Sequence, residues 1–169
     1  SQRTAVKRLY AWIRSCVPDG ATSADLSTFK SEKFRDEISD YFDKAFLLTY
    51  YLWTDYFLAV DQRAKNMMLR TWDGLIWYIT YYDGDTQMGK RNDCFLVYDY
   101  TTDRDTYDAE AGKYAFEGRD SWLWNLVLAN LDADLKTQAQ ALRGVLTTSR
   151  VLDMLNVEQA GNWCDRAYN

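Results

Sequence analysis

Met67-Met68-Leu69-Arg70-Thr71-Trp72-Asp73-Gly74-Leu75-Ile76-Trp77-Tyr78-Ile79-Thr80-Tyr81-Tyr82 is the stretch that decides the fold. Met67 to Trp72 reads as a strand. Asp73-Gly74 has the signature of a two-residue hairpin turn, whose central residues need positive φ. Leu75 to Tyr82 is rich in β-branched and aromatic residues and reads as the return strand. It ends at Asp83-Gly84-Asp85. The periods on both sides are helical, so the expected class is α+β: mostly helical, with a central β-hairpin over about 66–82.

Upstream, Val6, Leu9, Ile13 and Val17 recur at helical spacing, which predicts a helix over 4–16 with that face inward. Pro18-Asp19-Gly20 is a turn signal. Residues 21–30 are small and polar, as in a loop or a short turn of helix. Ser31 is a natural cap for a second helix. Phe34, Ile38, Phe42, Ala45 and Phe46 share one face of it, and the pattern runs on to about Phe57. Its second half is apolar nearly all round, which predicts burial on most sides.

Downstream, residues 86–120 are studded with glycine and aspartate, with a short strand expected at Cys94 to Tyr98. Ser121 is placed to cap a long helix over 121–143, closed by Gly144. Thr148 opens a further short helix. No internal repeat or low-complexity tract appears. One domain over 1–169 is expected, as a segment of a longer protein.

Composition narrows the function. With 169 residues, 47% hydrophobic and 27% charged, the chain is of the globular class and long enough for a core. Aromatics reach 16%, including 7 Trp and 13 Tyr. They fit a bulky core, or in part a partner interface. The net charge of −5 repels phosphate backbones, so nucleic acid is not an expected partner. Lys7, Arg8 and Arg14 read as helix-surface charge. Cys16, Cys94 and Cys164 are far apart, and the chain holds 0 His. A zinc site and a nucleophile–histidine pair are both disfavoured. Unframed thiols suit a reducing compartment. No apolar run is long enough to span a membrane.

The residues arranged as though for chemistry flank the hairpin. Asp61-Gln62-Arg63-Ala64-Lys65-Asn66 precedes it, and Asp83-Gly84-Asp85 follows it. The order is an aspartate, a basic residue two on, an asparagine five on, a hairpin, and an aspartate before glycine. Protein kinases use this order. A catalytic aspartate accepts the acceptor hydroxyl's proton, and a nearby Arg or Lys neutralises the transferring phosphate. The asparagine and the later aspartate present oxygens to magnesium, a hard cation that takes few protein ligands. Each piece also has a plainer reading. Asp61 can close a helix, Asn66 can satisfy a turn, and the acidic pair can bond backbone N–H groups.

Asp61 to Asn66 together with Tyr82-Asp83-Gly84-Asp85-Thr86-Gln87-Met88-Gly89 resembles the CotH-type kinase-like proteins, over about Phe42 to Gly89. The resemblance implies the C-terminal lobe of a kinase-like fold. Asp61 would then be the catalytic aspartate, with Arg63 beside it. Lys65 would contact the nucleotide, and Asp83 and Asp85 would bind magnesium. Asn66 joins the metal set through the general kinase pattern. The longer run from Arg63 to Asn125, with Phe116-Glu117-Gly118-Arg119-Asp120-Ser121-Trp122-Leu123-Trp124-Asn125, is similar to structural proteins of tailed bacteriophages.

The chain departs from a kinase in several respects, and no histidine precedes Asp61 where protein kinases place one. The residues before Asp61 read as helices, without a strand-borne glycine-rich loop or a strand lysine to grip phosphates. The first expectation is therefore a tail-associated structural or assembly module of a virion, made in the host cytoplasm. Its partners would be other protein subunits, and no cofactor is expected. The alternative is the catalytic half of a phosphotransferase using ATP and Mg²⁺. A carboxylate hydrolase drawing on Asp99, Asp103, Asp105 and Asp108 ranks third. Such an enzyme needs two carboxyls about 5–10 Å apart, which sequence does not place.

Overall fold

The computed structural model describes residues 2–57, 59, 62–63, 66–84 and 121–153. The described chain is α+β: mostly helical, with one antiparallel two-stranded hairpin. The segments at 94–98 and 99–108, and Cys94 and Cys164, lie outside the described residues.

Helix α1 spans Gln2–Ser15. Its buried face is Ala5, Leu9 and Trp12, continued by Cys16. This corrects the expected face, because Val6 is 55% exposed. Trp12 sets the rotation. Its ring stacks on Tyr41 at 4.2 Å and Phe34 at 5.4 Å between centroids, and its indole N–H donates to Glu37 at 3.1 Å. Burying one such ring stabilises by about 1.5–3 kcal/mol, more than a valine in its place.

After the Pro18–Gly20 turn comes a four-residue helix, α2 (Ser23–Leu26). Helix α3 (Glu32–Glu37) opens on the Ser31 cap, whose hydroxyl oxygen accepts the Phe34 N–H at 3.2 Å. The expected continuous helix to Phe57 is broken. A 3₁₀ turn (Ile38–Asp40) follows α3, and Asp43 caps a new helix, α4 (Lys44–Tyr56), by accepting the Phe46 N–H at 3.0 Å. Phe34, Ile38 and Phe42 are buried, whereas Ala45 and Phe46 are exposed, because the helical phase restarts at the break.

Strands β1 (Met67–Arg70) and β2 (Tyr78–Tyr81) pair Met67 with Tyr81 and Arg70 with Tyr78. The strands are shorter than expected, and Asp73-Gly74 is not a two-residue turn. Residues 71–77 form the tip. Asp73 Oδ1 accepts the N–H groups of Leu75 and Ile76 at 2.7 and 2.9 Å, which turns the chain by side-chain capping. Gly74 sits at φ 77°, against Ala5. Trp77 leaves the hairpin and donates its backbone N–H to Tyr41 O at 2.7 Å.

Ser121 caps α5 (Trp122–Asn130), as expected. The helix stops at Leu131, and α6 (Asp132–Val145) begins in a new direction, so the predicted single helix over 121–143 is two. Gly144 lies inside the last turn of α6 rather than closing it. Thr147 then accepts the Arg150 N–H at 3.3 Å and opens the helical residues 148–153. The element buried nearly all round is α5, through Leu123, Trp124, Leu126, Val127 and Ala129; α4 leaves Tyr56 exposed. Asn130 ties the end of α5 to α3: its amide accepts the Ser31 N–H at 2.7 Å and donates to Phe29 O at 3.0 Å. Helix α6 lies along α4 through Lys44–Asp134 at 2.8 Å and Gln138–Thr49 at 2.9 Å. One apolar cluster joins α1, α3, α4, β2, α5 and α6.

Candidate functional site: the segment at 62–66 and the end of the hairpin

The residues on either side of the hairpin meet. Gln62, fully buried, donates from Nε2 to Tyr82 O at 2.8 Å and Asp83 O at 2.9 Å. Asn66 donates from Nδ2 to Asp83 O at 3.1 Å. One carbonyl thus takes two side-chain amides. Asp83 adopts φ 53°, a left-handed conformation that aspartate tolerates better than most residues. Such a backbone persists where its surroundings hold it, and the two amides do so.

Gln62 and Arg63 are themselves held from behind. Tyr50 of α4 donates its hydroxyl to Gln62 O at 2.6 Å. Trp124 of α5 donates its indole N–H to Arg63 O at 2.8 Å. The Tyr50 and Trp124 rings stack 6.1 Å apart. Burial pushes the Tyr50 phenol well above its ordinary range, aided by nearby Tyr81 and opposed by Arg63. Burial also raises Tyr81 to about 12. The Tyr50 phenol stays neutral at physiological pH and acts as a hydrogen-bond donor to Gln62.

Arg63 faces α4. Its guanidinium lies 3.3 Å from Asp55 Oδ1 and 4.6 Å from the centre of the Tyr51 ring. The residue is 3% exposed. Of the residues expected to carry chemistry, Asn66 and Asp83 are brought together, and Arg63 packs on α4. Asp61, Lys65 and Asp85 lie outside the described residues. Among the described residues, no group of three His, Cys, Asp or Glu side chains is placed to hold a metal ion. No described helix is long and apolar enough to cross a membrane.

Sequence reading missed Gln62, Tyr50 and Trp124. Gln62 sits inside the quoted motif, but only its distant partners at 82 and 83 give it a role. The two aromatic residues read as ordinary core, and nothing local marks their polar ends.

Two hollows flank α4. One, of about 210 Å³, lies between α4 and α6 and is walled by Leu52, Tyr56, Leu142 and Leu146, with Asp55, Ala139 and Arg143 beside them. The other, of about 500 Å³, lies against β2 and includes Phe46, Trp53, Arg70 and Tyr81. Comparison with family models, with curated proteins and with solved structures returned no match.

Proposed function

We propose that the chain is a structural, assembly-type module of a bacteriophage virion, associated with the tail and without catalytic activity of its own. The observation that carries the non-catalytic part is Arg63. The basic side chain that would neutralise a transferring phosphate is enclosed between Asp55 and the Tyr51 ring, at 3% exposure. Its neighbours Gln62 and Asn66 use their amide nitrogens to hold the backbone at 82–83. Gln62, Arg63 and Asn66 thus work as an architectural tie. The virion part rests on the likeness of Arg63 to Asn125 to phage structural proteins and on the exposed aromatic residues Trp72, Tyr82, Tyr10 and Tyr56.

One observation favours the phosphotransferase reading. The hairpin brings Asn66 to Asp83, by a hydrogen bond from Asn66 Nδ2 to the Asp83 backbone carbonyl. Asn66 Oδ1 and the Asp83 carboxylate are the groups that would hold the ion, which would neutralise phosphate charge.

A melting experiment separates the two readings. A ligand that binds only the folded state must raise its melting temperature. Millimolar ATP with Mg²⁺ is expected to leave the transition unmoved, and a rise of several degrees overturns the non-catalytic reading. Antibody labelling of intact particles completes the test. Label on the tail is expected; label confined to unassembled protein overturns the virion placement.

A further inference from the structure

Trp72 is 84% exposed, the most of any large apolar side chain among the described residues. Its loop is nevertheless pinned. Asp73 caps Leu75 and Ile76, Thr71 Oγ1 accepts the Gly74 N–H at 3.0 Å, and Arg8 of α1 donates to Leu75 O at 3.0 Å. A ring held out on a fixed loop loses little further freedom on docking, which makes it an efficient anchor.

The groove between α4 and α6 has the matching size. A cavity of roughly 150 Å³ takes a benzene ring, and pockets for small-molecule ligands run to about 300–1,000 Å³. At about 210 Å³, with Leu52, Tyr56, Leu142 and Leu146 around it, the groove suits one aromatic side chain. The charges match in both signs. Trp72 lies between Arg70, whose guanidinium is 5.8 Å from the ring centre, and Asp73. The groove carries Arg143 and Asp55, whose carboxylate is half exposed and also pairs with Arg63.

We propose that Trp72 of one copy seats in the α4–α6 groove of a second copy, with Arg70 toward Asp55 and Asp73 toward Arg143. This deepens the assembly reading above, rests on it, and names the partner as the chain itself. Knob and groove are different patches, so the contact is heterologous. Each added copy leaves one knob and one groove open, which generates rings or filaments rather than closed two-fold dimers.

Sedimentation of the full chain over a range of concentrations tests this. The wild type is expected to form species larger than a monomer as concentration rises, and less so at high salt. Trp72→Ala removes the knob, and Ala139→Trp fills the groove; each variant alone is expected to stay monomeric with an unchanged far-ultraviolet CD spectrum. Mixed one to one, they are expected to give a dimer and nothing larger, because one intact knob meets one intact groove. Should Ala139→Trp fail to fold, the exposed Arg143→Asp serves in its place, with association weakened at least tenfold. A wild type that stays monomeric throughout, or association that survives Trp72→Ala, overturns the proposal. That failure leaves the ATP–Mg²⁺ result standing, whereas a shift with ATP–Mg²⁺ sinks the non-catalytic reading whether or not copies associate.

Discussion

Arg63 carries a positive charge into a nearly sealed position, where an unpaired charge is costly. Asp55 and the face of Tyr51 compensate it. The Asp55 carboxylate is about half exposed, so its attraction for Arg63 is partly screened. Cys16 is the second informative residue. Burial first, and Glu37 second, push its thiol up from 9.0 to about 11. A raised pKa in the folded state means the neutral thiol is favoured there. That contribution to stability is fully present below about pH 9 and is lost as pH rises toward 11. In a variant with Cys94 and Cys164 replaced by serine, a thiol reagent at pH 8 is expected to label the native protein very slowly and the urea-unfolded protein at once. Rapid native labelling would show that Cys16 is open to solvent.

Capping and interruption decide the elements. The apolar pattern from Phe34 to Phe57 is compatible with one long helix, yet the 3₁₀ turn at Ile38–Asp40 and the Asp43 cap on Phe46 N–H separate α3 from α4. Asp43 was visible as a residue type that caps helices; an aspartate inside an unbroken period simply looks like one polar position. Leu131 is harder still, because α5 ends there without glycine, proline or a polar cap. Ser31 and Ser121 were legible as cap-type residues, Ser31 ahead of apolar positions at helical spacing (Phe34, Ile38) and Ser121 ahead of an apolar run. The Asp73-Gly74 pair was legible as a turn and misleading about its length, because the carboxylate reaches Leu75 and Ile76 and draws them into the tip. Asp43→Ala is expected to cost about 1 kcal/mol in urea unfolding, the usual worth of such a cap. A change within about 0.3 kcal/mol would mean that the 3₁₀ turn and α4 do not depend on it.

At the scale of the molecule, one apolar cluster gathers the helices around β2, and the polar tie at 62–66 is built into its edge. Tyr50 and Trp124 belong to the cluster by their rings and to the tie by their polar ends. This coupling explains why the α+β class and the hairpin were readable while the site was not. Periodicity reports which residues face a core, but a buried glutamine declares its partners only in three dimensions. The meeting of Asn66 with Asp83 followed from the hairpin itself, which returns the chain to where it started. Gln62 serves architecture: its buried side chain ties the backbone carbonyls of Tyr82 and Asp83 to the core, the second together with Asn66. Equilibrium urea unfolding of Gln62→Ala tests it most directly. Leaving Tyr82 O without its donor and Asp83 O with one of two should cost roughly 2 kcal/mol. A variant within about 0.5 kcal/mol of the wild type would contradict the claim.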